Sequence, residues 1–175
     1  PLRVGVIYSI APYMLPQVIP ALHKHAPAMP LYLKEDFTAN LIPALKAGEL
    51  DVIVIALPFA EAGLVAQAVY EEPFRVVVPA QHPWSHRAAV EADELDGQNI
   101  RYMVASGAGV AVMPSTAADP LVDKEPMVKV LPFQGKQPSR TVGLVWRVTF
   151  PRPKAIDAVR AALLSCQLPG ATAIR

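Results

Sequence analysis

A chain of 175 residues, 53% of them hydrophobic, is long enough to bury a real core, as one large domain or as two small lobes. With 16 Lys and Arg against 15 Asp and Glu, it has no overall positive field, so it is not expected to hold nucleic acid by phosphate neutralisation. The apolar windows are short and broken by Pro or charge, which speaks against a membrane span. Pro1 runs into a strand without a signal-peptide pattern, as expected of an intracellular chain or of one cut from something longer.

In chain order, Arg3 to Tyr8 is the first predicted strand, an apolar run that turns at once into a Pro-started helix over Pro12 to His25. Leu15, Val18, Ile19 and Leu22 share one face of that helix. Pro16 is tolerable in the first turn, but Pro20 deletes a backbone donor, so a kinked or late-starting helix is expected. Leu31 to Glu35 follows as a strand, with Leu31 and Leu33 inward and Tyr32 and Lys34 outward. A helix capped by Thr38 then carries a stripe of Leu41, Ile42 and Leu45 and stops before Gly48. Asp51 to Leu57 is nearly all β-branched or apolar, as a central strand covered on both faces should be. Strand, helix, strand, helix, strand makes a parallel βαβαβ unit.

Ser9 and Thr38 stand between a strand's carboxyl end and a helix start in adjacent units. In open α/β sheets ligands bind in the crevice beyond those strand ends. Two hydroxyls there, backed by helix N-termini, suit a small polar or anionic ligand, although Ser and Thr are also ordinary caps.

Ala60 to Glu72 reads as a polar connection, and the composition changes at EEPFRVVVPA, where a second lobe is expected to begin. Phe74 to Val78 is a strand, and Glu91 to Leu95 a short helical segment. His82, Pro83 and Trp84 between them are a binding rim or a packed loop anchor. In LDGQNIRYMVASGAGVAVMP, Ile100 enters as if in mid-helix, with no start signal before it, and Gly107 ends that helix. SGAGV is not a nucleotide loop, because it follows a helix and has no P-loop Lys. Val110 to Met113 is a strand, Ser115 to Pro126 a polar connection, Val128 to Leu131 a short strand and Thr141 to Arg147 a strand returning to the first lobe. Pro153 to Leu164 is a closing amphipathic helix with Ile156, Val159, Ala162 and Leu163 on one face, and the tail after Pro169 is expected to be loose. The single cysteine, Cys166, sits beside Ala162, Leu163 and Leu168 and reads as a small buried hydrophobe. It can neither close an internal disulfide nor hold a metal alone. No His, carboxylate and nucleophile fall at strand ends in convincing spacing, so no enzyme is expected.

The blocks SIAPYMLPQVIPALHKHAP, LYLKEDFTANLIPALKAGELDVIVIAL, EEPFRVVVPAQHPW, RYMVASGAGVAVMP and SRTVGLVWR resemble, in this order, the regulatory-domain pattern of LysR-type transcriptional regulators. APYMLP, HPW and TVGLVWR look like the OxyR-type peroxide sensors within that family, and the resemblance runs from Leu2 to about Leu164. It implies an α/β protein of two Rossmann-like lobes, of the type 2 periplasmic-binding-protein kind, with the chain crossing twice between them. Lobe I would be residues 1–72 and 142–175, and lobe II residues 73–141. A winged helix-turn-helix that carries DNA binding would precede Pro1. The resemblance further implies a homodimer or homotetramer in the bacterial cytoplasm, RNA polymerase as a partner of the whole regulator, and neither cofactor, metal nor membrane.

The ligand implied is hydrogen peroxide, held near a peroxidatic cysteine by hydroxyl residues that match Ser9, where the family often has Thr, and Thr38. A hydroxyl can donate to and accept from a neutral peroxide and hold it in line with a thiolate. The family carries its peroxidatic and resolving cysteines between the blocks matching LDGQN and IRYMVAS, and the printed sequence has neither, at the junction where the helix lacks a start. Either that segment has been removed, or it belongs to the molecule and the sequence closes over it. The second is expected, because a redox loop that rearranges between thiol and disulfide is a candidate for disorder. The alternatives are a LysR-type domain taking a small organic acid, and a periplasmic solute-binding protein, against which the missing signal peptide counts.

Overall fold

The computed structural model describes residues 1–95 and 109–175, in two compact units. The first takes residues 1–71, 141–168 and 172–175, and the second residues 72–140 and 169–171. The sequence features around Asn99 and Ile100, including the unsignalled helix start and its end at Gly107, lie outside the described residues.

The first unit begins with β1 (Leu2–Ile7), α1 (Ala11–His25), β2 (Leu31–Asp36), α2 (Thr38–Lys46) and β3 (Val52–Leu57). β1 lies between β2 and β3, parallel to both, which is the expected βαβαβ unit. β7 (Ser139–Arg147) adds to β3 antiparallel, and β4 (Leu64–Pro79) lies beside β7. β3 is covered on both faces: Val52, Ile53, Val54 and Ile55 are all buried, with Leu41, Ala44, Leu45, Leu50 and Val145 packed around Ile53 and Ile55. Gly48, at φ +78°, follows α2 where the chain must turn left-handed. α5 (Pro153–Ser165) buries Ala155, Ile156, Val159, Ala162 and Leu163 and lies against α1.

Several expectations change. α1 starts at Ala11, not late, and runs to His25 through Pro16 and Pro20. Burial of Met14, Val18 and Leu22 holds the helix despite the two missing donors, since packing outweighs local propensity. On β2, Leu31 and Leu33 line an apolar gap with Met14, Val18 and Leu22, but Leu33 remains exposed, because β2 is the sheet's edge and lacks a neighbour on one side. The segment expected as a polar connection from Ala60 is strand from Leu64 onward. The tail is not loose: β8 (Thr172–Ala173) pairs with β4 at Tyr70 and Glu71, and the Ile174 N–H donates to the Val69 carbonyl at 2.7 Å.

In the second unit, residues 72–79 of β4 lie between β5 (Ala111–Pro114) and β6 (Val128–Pro132), antiparallel to both. Val76, Val78, Val90, Leu95, Val110, Leu131 and Phe133 form its core. Ser115 to Pro126 contains two short helices, α3 (Ser115–Ala118) and α4 (Leu121–Lys124), where only a connection was expected. Each is a single turn, too short for a periodic stripe to show. α3 is buried throughout and receives Pro169 and Gly170: the Ser115 hydroxyl donates to the Pro169 carbonyl at 2.9 Å. Gly170 is at φ +73°, and a Cβ there would stand 2.5 Å from the Ser115 side chain, so only glycine fits.

Candidate functional site

Ser9 and Thr38 are brought out on neighbouring loops by the register of the parallel pair β1 and β2, in which Ile7 stands opposite Asp36. Past Ile7 the chain turns tightly, the Ile10 N–H donating to the Ile7 carbonyl at 3.0 Å, and α1 begins. Past Asp36 it enters α2 directly. The rings of Tyr8 and Phe37, each one residue before its hydroxyl, meet edge to face with centroids 4.9 Å apart and planes at 72°. Ser9 and Thr38 are both exposed.

Thr38 is not the cap of α2. Phe37 takes that position and Thr38 is the first helical residue, so its hydroxyl makes no cap bond. Asp36 does the local work instead: its Oδ1 accepts from the Phe37 N–H at 2.7 Å and from Asn40 Nδ2 at 2.7 Å. These two bonds, the Asn40 one foremost, and the Lys34 ammonium 3.8 Å away hold the Asp36 carboxyl below the usual aspartate range. It is therefore ionised beside the hydroxyls at neutral pH. Sequence reasoning passed over Asp36, although Asp and Asn four apart around a helix start are a readable pair.

His82 and Trp84 are a packed anchor rather than a rim. The Trp84 backbone N–H donates to His82 Nδ1 at 3.0 Å, the ring centroids stand 5.2 Å apart, and Trp84 packs against the second unit's core with Arg87 over its ring. Cys166 is half-buried at the end of α5, its thiol 3.2 Å from the Ala162 carbonyl and 3.5 Å from that of Gln17. Burial pushes its thiol pKa up, with Ser165 opposing. Only the thiolate reacts, so Cys166 is expected to be alkylated by iodoacetamide at neutral pH more slowly than free cysteine, as a timed mass-spectrometric series would show. Among the described residues no group of three or more His, Cys, Asp or Glu could hold a metal ion. No helix among them is long and apolar enough to cross a membrane.

Comparison with known proteins adds to this geometry. A family model, the LysR substrate binding domain, matches residues 1–100 and 96–166, two pieces that overlap at residues 96–100. The DNA-binding transcriptional dual regulator OxyR of Escherichia coli K12 is 28% identical over 199 residues, covering 93% of this chain and 65% of that protein. A probable hydrogen peroxide-inducible genes activator of Mycobacterium xenopi is 43% identical over 89 residues, 51% of this chain and 47% of the relative. Among solved structures, the reduced OxyR regulatory domain of Pseudomonas aeruginosa superposes with a TM-score of 0.85 at 39% identity, covering 95% of this chain and 98% of that one. The reduced form of OxyR from N. meningitidis gives 0.88 at 35% identity, covering 99% and 98%. The chain thus spans 65% of the length of the E. coli regulator while matching nearly all of these two solved chains.

Proposed function

This chain belongs to the LysR substrate-binding domain family, and on that premise we propose that it is the sensing part of a peroxide-responsive transcription regulator. Ser9 and Thr38 receive the oxidant, a thiolate in the segment after Asn99 reacts with it, and the change passes to an attached DNA-binding domain that controls antioxidant genes. The regulator works as a homo-oligomer in the bacterial cytoplasm. The supporting observation is the Tyr8–Phe37 contact, which ties the two loops that carry the hydroxyls. Hydroxyls suit the chemistry because a peroxide is neutral and needs both donors and acceptors, and thiolate attack needs the O–O bond held in line.

A second reading, a domain taking a small organic acid without cysteine chemistry, is favoured by the single cysteine in the sequence and its place at the end of α5. A peptide map separates the two. Trypsin cuts after Arg87 and Arg101, so the peptide between them reports whether Ile100 follows Asn99. The expected result is a longer, cysteine-containing peptide whose thiol is lost on treatment with hydrogen peroxide. Recovery of the peptide as printed, from a protein of 18.8 kDa that does not respond to peroxide, rejects the peroxide reading and leaves the organic acid.

A further inference from the structure

Tyr8 and Phe37 are unusual for residues at a polar site. Large aromatic side chains bury area wherever they can, yet Phe37 is 65% and Tyr8 47% exposed, and Tyr13 in the first turn of α1 is exposed as well. The edge-to-face pairing of Tyr8 and Phe37 leaves ring surface open to solvent beside Ser9 and Thr38. A molecule no larger than hydrogen peroxide has nothing to lay against that surface.

Charge at the same place narrows the choice further. The amino end of α2 would ordinarily favour an anion, but the Asp36 carboxylate already accepts the Phe37 N–H there, and Lys34 is turned to Asp36. A second carboxylate or phosphate would meet a fixed negative charge. The combination left is hydroxyls for a neutral polar head and open aromatic rings for an apolar body.

Resting on the peroxide reading above, we infer that this site is built for an organic hydroperoxide, a neutral –OOH group on an aromatic or bulky alkyl body, in preference to hydrogen peroxide or an organic anion. The hydroxyls of Ser9 and Thr38 take the –OOH end, and Phe37 and Tyr8 take the body. Phe37 is the specificity-determining residue, because it is the more exposed ring and sits one residue before Thr38.

Binding can be read without any redox step, using inert probes. Amide shifts of the ¹⁵N-labelled protein are followed while titrating 2-phenyl-2-propanol, tert-butanol and benzoate. The first is the alcohol counterpart of an aromatic hydroperoxide, the second has a hydroxyl without a ring, and the third has a ring on an anion. The expected result is that 2-phenyl-2-propanol shifts the Ser9 and Thr38 amides with a Kd about tenfold below that of tert-butanol, the size of one aromatic contact with the area it buries, and that benzoate binds no better than tert-butanol. Phe37→Ala, at an exposed position that the core does not need, should cut the advantage of 2-phenyl-2-propanol over tert-butanol, measured in the same variant, to under about threefold. Equal affinity with and without the ring, in the wild-type protein, overturns the inference and leaves the peroxide site standing. Tighter benzoate overturns it in favour of an organic anion. If no probe moves either amide, the site itself fails and the inference with it.

Discussion

Asp51→Ala is expected to destabilise the first unit by about 3 kcal/mol, the low end for breaking a buried ion pair, because two of the arginines it leaves behind still reach water. Asp51 is 2% exposed and gathers the start of β1 and the end of β7. Arg3 donates to it three times: from its backbone N–H to Oδ2 at 2.8 Å, from Nε to Oδ2 at 3.2 Å and from Nη2 to Oδ1 at 2.7 Å. Arg152 stands 3.6 Å away and Arg147 3.9 Å away. Arg147 also donates to the carbonyls of Leu45, at the end of α2, and of Leu50, just before β3. Alanine removes every acceptor at once, orphans the Arg3 N–H and leaves Arg147 half-buried without its counter-charge. Asp51→Asn keeps an acceptor and should cost about half as much.

The sign of the pH dependence follows from the carboxyl. Burial pushes the Asp51 pKa up, but the hydrogen bonds and charge of Arg3, helped by Arg152, outweigh it, and the net value lies below the ordinary aspartate value of 3.8. A carboxyl depressed in the folded state binds fewer protons there than in the unfolded chain. Its stabilisation is therefore complete at neutral pH and is lost as pH falls from about 4 through the lower folded value. Urea midpoints at neutral pH and in that acid range should converge for wild type and Asp51→Asn as the carboxyl protonates. Parallel curves would mean that Asp51 does not carry the acid sensitivity.

Where local pattern and burial coincide, the sequence was easy to read. The run Val52 to Ile55 is apolar at every position because that part of β3 is covered on both faces, and the stripe Ile156, Val159, Ala162 and Leu163 on α5 is the buried one. Difficulty begins where partners distant in sequence decide. The first half of β4 buries only Val69 and Tyr70 fully, so its hydrophobic signal is thin, yet β7 and β8 supply the ladder that makes it a strand. β8 has two residues, below any periodicity. The position of Ser9 and Thr38 at the junctions between a strand and the helix after it was legible because strand ends before helices are visible in sequence. The cap of α2 was misplaced because Asp36, Phe37 and Thr38 offer two good capping side chains in three residues, and only the register chooses between them. The Tyr8–Phe37 contact depends on β1 pairing β2 with Ile7 opposite Asp36, which no local window contains.

The largest single effect in the second unit is expected at Glu72, by about 3–5 kcal/mol for Glu72→Ala. The side chain is fully buried, with 0% exposure, and accepts from Arg140 Nε at 2.6 Å and from the Thr116 hydroxyl at 2.7 Å. Arg140 is itself only 12% exposed, so alanine at 72 leaves a guanidinium that water cannot easily reach. Glu72→Gln keeps the shape and an acceptor but loses the charge, and should cost about 1.5–3 kcal/mol, while Thr116→Val removes one bond to a charged group and should cost less than either. Replacing both partners, as Glu72→Met with Arg140→Met, removes the desolvation cost along with the attraction and should recover most of the loss. The double-mutant cycle should show coupling above about 1 kcal/mol, and additive losses would mean that the pair does not act as one. Their positions give the ion pair its consequence. Glu72 opens the second unit and Arg140 ends the span in which the chain builds it, so one buried bond clasps that unit at its point of entry and its point of exit. Hydrogen exchange should accordingly rise in Glu72→Gln across residues 72–79 and through β5 and β6, which hang on that half of β4, while β1 and β3 in the first unit keep their protection.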